Sequence, residues 1–145
     1  MGRRGRAVSR ALGLAVLLPA SCGSTPYYPP PPTVVHVSMK EYAFVYTPPQ
    51  RAGHIVFEAR NDGRLAHDLA LVQLPAGTPP IDEQLRSKKR RGVPTIALIP
   101  AHQPKTGATF AVELTPGRYA IICFLKDADG VQHDQKGMSS EFRVR

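Results

Sequence analysis

The apolar residues of this 145-residue chain recur in short runs from Thr33 to Arg145, and most of these runs alternate with polar residues. Alternation places every second side chain on one face of an extended strand, so the pattern predicts half-buried β-strands. Proline, glycine and asparagine close most of the runs, as turn-forming residues do. The runs are Val35–Met39, Tyr42–Tyr46, Ile55–Ala59, Leu69–Val72, Ile96–Ile99, Phe110–Leu114, Tyr119–Phe124 and Phe142–Val144. Tyr119–Phe124 is apolar at every position, which indicates a central strand buried on both faces.

One segment, Pro80 to Arg90, has the pattern of a helix. Its acidic residues Asp82 and Glu83 come early and its basic residues come late, an order that suits the helix dipole, and Gly92 can end it. The pattern therefore predicts seven or eight short strands with one inserted short helix. Such a series indicates an all-β fold, and specifically a β-sandwich.

The first 22 residues have the organisation of an export signal. Four arginines and no acid precede the apolar run Ala11–Ala20. This run is shorter than the roughly 20 apolar residues of a membrane span, but it suits the core of a signal peptide. The small residues before Cys22 resemble a bacterial lipobox, in which the cysteine is lipidated and becomes the mature N-terminus, although Pro19 stands where leucine is usual. The alternative is ordinary cleavage nearby, which leaves Cys22 as a free or discarded thiol.

Residues 23–32 include five prolines and two tyrosines, and they predict a linker of polyproline character. Ten extended residues at about 3.1 Å each would span about 30 Å. We therefore expect three parts: a signal peptide (1–22) with its lipobox-like cysteine, a proline-rich linker (23–32) that acts as a tether, and one folded domain (33–145).

The formal net charge is +8, and nucleic-acid-binding proteins often have a strongly positive net charge. Removal of the signal takes away four arginines and leaves 15 basic and 11 acidic side chains, a net charge of +4. Four of the remaining basic residues form the run Lys88–Arg91. Since an exported protein does not routinely meet nucleic acid, we expect no nucleic-acid partner. The run is predicted to be a solvated helix end, or a docking patch for an acidic partner or lipid headgroups.

Three short segments carry residues with metal chemistry. His67 follows the turn Asn61–Gly63 and begins a predicted strand, Cys123 lies in the apolar strand Tyr119–Phe124, and a loop places His133 five residues before Met138. Two imidazoles, one thiolate and one thioether are the ligand set of a blue copper site. The chain has only two cysteines, which excludes a disulfide scaffold and a four-thiolate zinc site.

With these segments in this order, the domain resembles the cupredoxins, the plastocyanin-like family of small copper proteins. Gly117, Tyr119 and Cys123 match the family motif Gly-x-Tyr-x-x-x-Cys, and His133 and Met138 match His-x-x-x-x-Met. The resemblance covers residues 33–145 and implies a Greek-key β-sandwich that is monomeric and binds one copper ion. The equatorial ligands that it implies are His67, Cys123 and His133, and the axial ligand is Met138.

The sequence departs from the family pattern at two places. Nine residues, 124–132, separate Cys123 from His133, where typical members have fewer. This stretch is rich in turn-forming residues, so a protruding loop can return His133 to the metal. The residue after the first histidine is Asp68, where the family usually has an asparagine that braces the cysteine loop. Both departures bear on the geometry and reduction potential of the site.

Each candidate residue also has a simpler interpretation. Taken alone, Cys123 would be a small buried hydrophobic residue, Met138 would fill the core and His67 would be solvated. Their joint occurrence in the family order favours copper. The other histidines, His36, His54 and His102, lack this context and are predicted to lie at the surface. An enzyme would need Cys123 as a nucleophile, but an apolar strand is a poor place to attack a substrate, so we expect no enzymatic activity.

Three functions follow from this pattern. The first is an exported electron carrier, tethered by lipid to the extracytoplasmic face of a bacterial cell membrane, that cycles one copper between Cu(I) and Cu(II). The second is a protein that holds or delivers copper without redox turnover. The third is a metal-free cupredoxin-like domain used only for protein contacts. In the first two cases the expected partners are redox or copper-exchange proteins.

Overall fold

The computed structural model describes Gly2 and residues 27–145. The predicted signal peptide and the predicted lipidation site, Cys22, therefore lie outside the described residues, apart from Gly2, and so do the first four residues of the predicted linker. The linker residues that are described precede the first strand, and Tyr27 and Tyr28 in them are exposed. No helix in the described part of the chain is long and apolar enough to cross a membrane.

The described chain folds into eight strands, one α-helix and one short 3₁₀-helix. The elements in order are β1 (Thr33–Lys40), β2 (Ala43–Val45), β3 (Gly53–Asn61), β4 (His67–Leu74), α1 (Ile81–Ser87), β5 (Thr95–His102), β6 (Gly107–Leu114), β7 (Gly117–Ile122), the 3₁₀-helix (His133–Lys136) and β8 (Ser139–Val144). The prediction of an all-β fold with one inserted short helix is confirmed.

The strands form two four-stranded sheets, in the orders β2-β1-β3-β6 and β5-β4-β7-β8. Neighbouring strands are antiparallel except β1 and β3, which pair in parallel from Thr33↔Ile55 to Met39↔Asn61. The chain crosses between the sheets three times, after β3, β5 and β6. These crossings join the two sheets into the predicted Greek-key sandwich.

The alternating sequence pattern determines which side chains enter the core. In β1 and β3, every second residue is buried between the sheets and the residues between them face solvent or the rim. Strands β4 and β7 are instead buried on both faces, because α1 covers the outer face of their sheet and forms a second apolar cluster there. The buried residues of this second cluster are Val72, Leu74, Ile81, Ala120 and Ile122.

The helix α1 is shorter than the predicted segment, Pro80 to Arg90. It ends at Ser87, because Lys88 adopts a left-handed conformation (φ 54°) and donates its backbone N–H to the carbonyl of Leu85. The prediction that Gly92 ends the helix is wrong. The basic run Lys88–Arg91 therefore follows the helix as irregular chain, so the regular spacing of a helix does not set the directions of its side chains.

The antiparallel sheet β5-β4-β7-β8 brings three chain segments to one end of the sandwich. The start of β4 lies beside the end of β7, and the end of β7 lies beside the start of β8, where Ile122 pairs with Ser139. The first residue of β1 pairs with Ile55, near the start of β3, so the linker joins the sandwich at the opposite end. The fold thus places His67, Cys123 and Met138 at one end and the N-terminal linker at the other.

Candidate metal centre

Three of the four predicted ligand residues converge at this end of the sandwich. The two imidazole Nδ1 atoms of His67 and His133 are 3.2 Å apart, and the Cys123 Sγ lies 3.3 Å from the Nδ1 of His133. All three ligand atoms lie within 4.8 Å of one another. Metal–nitrogen and metal–sulfur bonds are about 2.0–2.3 Å long, so atoms with these separations can share one ion. All three residues are at most 2% exposed.

His67 is positioned by the turn that precedes β4. The buried Asn61 organises this turn, since its side-chain amide donates to the carbonyls of Leu65 (2.8 Å) and His102 (2.7 Å) and its carbonyl accepts from the N–H of Gly63 (2.9 Å). The register of β4 with β5 then places His67 opposite His102. The asparagine-glycine turn seen in the sequence thus fixes the first histidine.

Close packing leaves little room for a side chain at Gly63 in this turn. A Cβ atom there would lie 2.6 Å from the carboxylate Oε1 of Glu41 and 3.0 Å from the Nε2 of His67. The same carboxylate accepts hydrogen bonds from the backbone N–H groups of Arg64 and Leu65, and the first of these lowers the pKa of Glu41. The turn therefore lies between His67 and the Glu41 carboxylate, to which the backbone of the turn donates hydrogen bonds.

Cys123 follows β7 and is held through Asp68. The Cys123 Sγ accepts a hydrogen bond from the Asp68 N–H (3.5 Å), and the Asp68 side chain accepts one from the N–H of Phe124 (2.8 Å). Asp68 thus braces the cysteine loop although the family usually has asparagine there. Burial raises the pKa of the Cys123 thiol to about 12, so the metal-free protein keeps this thiol protonated at neutral pH.

The nine residues between Cys123 and His133 fold back on themselves. Lys126 and Gln132 form an antiparallel bridge, and a turn between them is closed by the hydrogen bond from the Gly130 N–H to the carbonyl of Asp127. At its base, the N–H of His133 donates to the carbonyl of Leu125 at 2.8 Å. The loop thus forms a small hairpin, and its length does not separate His133 from Cys123.

Asp127, at the turn of this hairpin, fixes the orientation of His133. Its Oδ1 is 2.9 Å from the His133 Nε2, and its Oδ2 accepts hydrogen bonds from Lys136 (2.5 Å) and Tyr42 (2.6 Å). Lys136, followed by Tyr42, lowers the pKa of Asp127 well below its ordinary value. An ionised carboxylate only accepts hydrogen bonds, so Nε2 carries the proton and the Nδ1 lone pair faces Cys123 and His67.

The roles of Asp127, Tyr42 and Lys136 were missed in the sequence. Asp127 could have been noted there as an acid within the unusual insertion, because histidine ligands commonly donate their second N–H to a carboxylate. Tyr42 and Lys136 carry no comparable signal, since their positions beside Asp127 depend on the packing of separate segments. The Tyr42 and His133 rings also pack nearly perpendicular to each other, with ring centroids 5.5 Å apart.

The fourth predicted ligand, Met138, is fully buried beside the same loop. Its backbone N–H donates to the carbonyl of His133 (2.9 Å), and its carbonyl accepts from the N–H of Cys123 (3.1 Å). Its main chain is therefore hydrogen-bonded to two of the other predicted ligands. The remaining histidines lie elsewhere, with the side chains of His36 and His54 exposed as predicted and His102 partly exposed.

The donor set and its surroundings fit a copper ion. Imidazole nitrogens and a sulfur are copper ligands, whereas magnesium and calcium prefer sites made of oxygen atoms. Burial lowers the pKa of His67 and keeps this imidazole neutral, as a metal ligand must be. The buried Nε2 of His67 has no hydrogen-bond partner within the described residues. Within these residues, this is the one cluster of His, Cys, Asp and Glu with the spacing of a metal site.

The chain is similar in structure to three auracyanins. An auracyanin of the photosynthetic bacterium Roseiflexus castenholzii, reduced with dithionite, has a TM-score of 0.54 and 18% sequence identity, over 78% of this chain and 97% of the auracyanin. Auracyanin A of the photosynthetic bacterium Chloroflexus aurantiacus, a "blue" copper protein, has a TM-score of 0.55 and 18% identity, over 79% and 100%. Auracyanin B has a TM-score of 0.56 and 16% identity, over 82% and 93%.

These similarities show the fold of the chain. No protein-family model matches the sequence, and no curated protein matches it. At identities below a fifth, structural similarity establishes the arrangement of the strands and leaves the chemistry to be argued from the site itself. The prediction of a cupredoxin-like β-sandwich is confirmed.

Proposed function

We propose that this protein is an exported copper protein that carries one electron at a time at a type 1 site. Its equatorial ligands are His67, Cys123 and His133, and its axial ligand is Met138. The observation that carries this proposal is the buried convergence of two Nδ1 atoms and one Sγ in a fold shared with auracyanins. Bound copper supplies reversible exchange of one electron between Cu(II) and Cu(I).

The way in which the protein holds these residues supports a carrier over a copper-holding protein. Fast electron exchange needs ligands that stay in place in both oxidation states, and a mobile His133 would instead favour holding. Here His133 is fixed at its backbone by Leu125 and at its ring by Asp127, and Cys123 is braced by Asp68. The chain itself makes these contacts, which supports ligands that keep their places in both oxidation states.

The surface nearest the cluster also suits electron exchange. A shallow depression beside His133 is lined largely by the small or apolar residues Leu65, Ala66, Ala101, Leu125 and Ala128. An apolar surface lets two proteins approach closely with little cost in desolvation. Cys123 itself is fully buried, which suits a ligand and disfavours a nucleophile that must reach a substrate. We therefore propose a non-enzymatic role with redox proteins as partners.

The location of the protein is proposed from its N-terminus. Export and lipidation at Cys22 would tether the domain to the extracytoplasmic face of a bacterial cell membrane, with residues 23–32 as the spacer. Because the linker joins the sandwich at the end opposite the cluster, a tethered domain can present its metal end away from the anchor. We propose a monomer with no nucleic-acid partner.

The test is the visible absorption spectrum of the purified protein with Cu(II). We expect an intense thiolate-to-copper band that is lost in Cys123→Ser and kept in His36→Ala, which changes an exposed histidine. A colourless complex, or copper binding that survives the loss of both Cys123 and His133, would overturn the copper site.

A second measurement separates the carrier from the copper-holding alternative. In a carrier, Met138→Gln should keep copper and shift its reduction potential, and voltammetry should stay reversible, because the axial thioether is a weak ligand. In a protein that holds Cu(I), Met138 would be a principal soft ligand, and its loss should sharply weaken Cu(I) binding. Irreversible voltammetry of the wild type, with copper lost on reduction or oxidation, would favour holding.

A further inference from the structure

Asp134 is a buried acid in the segment that carries two of the proposed ligands. It follows His133 directly, it is 1% exposed, and its backbone N–H donates to the carbonyl of Cys123 at 3.1 Å. One carboxylate oxygen, Oδ2, lies 2.6 Å from the Nη2 of Arg90. The other, Oδ1, has no hydrogen-bond partner within the described residues. A buried carboxylate is costly unless it is paired, so this acid depends on Arg90.

Arg90 comes from a different part of the fold. It lies in the irregular segment after α1. The helix α1 packs on the outer face of the sheet that contains β7. This segment is fixed in turn, because the N–H of Arg91 donates to the side chain of Gln84 (2.9 Å), and Gln84 donates to the carbonyl of Pro79 (2.8 Å). The chain segment that carries Arg90 is therefore held by α1 and its flanks.

We propose that Arg90 is a positioning residue for the metal centre, acting through its ion pair with Asp134. The pair ties the 3₁₀-helix His133–Lys136 to the α1 segment and so holds His133 and Met138 against Cys123. This assignment rests on the proposed copper site for its functional consequence. The assignment also gives Arg90 a different role from the rest of the basic run Lys88–Arg91. The sequence predicts that the whole run is solvated or faces a partner.

The physical consequence of losing Arg90 is a shift of the segment that carries the ligands. An unpaired buried carboxylate gains stability by moving toward water. Asp134 cannot move without disturbing its N–H bond to Cys123 and the imidazole next to it in the chain. Uncompensated negative charge near the copper also favours Cu(II) over Cu(I), which lowers the reduction potential.

The experiment compares Arg90→Gln with Lys89→Gln, which removes the adjacent positive charge. Lys89 is exposed and makes no ion pair in the described part of the chain, so it is a matched control. In the metal-free proteins, we expect amide hydrogen exchange at Asp134 and Met138 to accelerate at least about tenfold in Arg90→Gln and to stay near the wild-type rate in Lys89→Gln. In the copper-loaded proteins, Arg90→Gln should shift the thiolate band and lower the potential, and Arg90→Lys should restore both in part.

Two outcomes would overturn the proposal. One is amide exchange in Arg90→Gln equal to that in Lys89→Gln, and the other is a changed exchange rate with an unaltered copper spectrum and potential. If Arg90→Gln does not fold, the double variant Arg90→Gln/Asp134→Asn removes both charges, and its spectrum should still differ from the wild type. Absence of the thiolate band in the wild type would refute the copper site, while the exchange rates would still decide whether Arg90 holds the loop.

Discussion

The hydrogen bond between His133 and Asp127 gives the sharpest test of how this chain would hold a metal. Replacing Asp127 with alanine removes the acceptor of the Nε2–H and leaves His133 free to change its tautomer or rotate its ring. The backbone bonds at the base of the hairpin remain, so the protein should fold. We expect weaker metal binding because the imidazole would no longer be held with Nδ1 toward Cys123.

The size of this effect follows from the contacts of the two acids in the hairpin. A hydrogen bond to a charged group contributes about 1.5–3 kcal/mol, and removing such a partner from a metal-bound histidine lowers metal affinity about 10–100-fold. Asp129 provides the control, because it also binds Lys136 (2.6 Å) but is half exposed and does not bond His133. An exposed ion pair contributes about 0–1 kcal/mol, and about 1 kcal/mol corresponds to about fivefold in an equilibrium constant. Even if all of this energy supported metal binding, Asp129→Ala should weaken the metal affinity at most about fivefold.

The assay is competition for Cu(II) with a chelator of known affinity, at one pH and one salt concentration for the wild type and both variants. Thermal unfolding of the metal-free proteins confirms that each variant is folded. Equal affinities for Asp127→Ala and Asp129→Ala would refute the reasoning, because the carboxylate that contacts His133 would then matter no more than its exposed neighbour.

Three further predictions concern the thiol, the anchor and the basic surface. The metal-free Cys123 thiol, with its pKa of about 12, must release a proton on metal binding. The affinity for copper should therefore rise about tenfold per pH unit between about pH 7 and pH 9. A copper affinity independent of pH would contradict this. Cys22→Ser should release the protein from membranes, whereas a soluble wild type without acyl mass would show that Cys22 is not lipidated. Replacing Lys88, Lys89 and Arg91 with serine, with Arg90 kept, should slow association with an acidic redox partner, and added salt should slow the wild type similarly. Equal association rates at low salt would leave these residues as plain solvated surface.

The parts of the fold and the site that could be predicted from sequence are those encoded by local pattern. Alternation in β1 and β3 reports burial directly, because a strand between solvent and core needs one apolar face. Tyr119–Phe124 is apolar throughout because α1 covers the second face of β7, which the sequence implied without showing what covers it. The sequence could point to His67, Cys123 and Met138 because each lies at or beside a strand end with its own local motif, and to His133 because of its spacing to Met138.

The parts that could not be predicted depend on contacts between distant segments. The pairing of Arg90 with Asp134 joins residues far apart in the chain, and a basic run carries no information about which of its members is turned inward. The end of α1 at Ser87 was missed because the left-handed Lys88 has no side-chain signal such as glycine would give. Tyr42 was assigned to an apolar run. Its hydroxyl nevertheless contacts Asp127, although Tyr42 lies between β1 and β2 of one sheet and Asp127 follows β7 of the other.

The hairpin between Cys123 and Gln132 separates two properties that are usually linked, the length of a loop and the spacing of the residues at its ends. Its base is closed by backbone bonds at Leu125 and His133, and Asp127 reaches back from its turn to the imidazole. The tip beyond Asp127, residues 128–131, contributes no proposed ligand. It is therefore an insertion point, where a longer turn, a recognition peptide or a labelled segment can be grafted within reach of the metal while the base keeps both ligands in place.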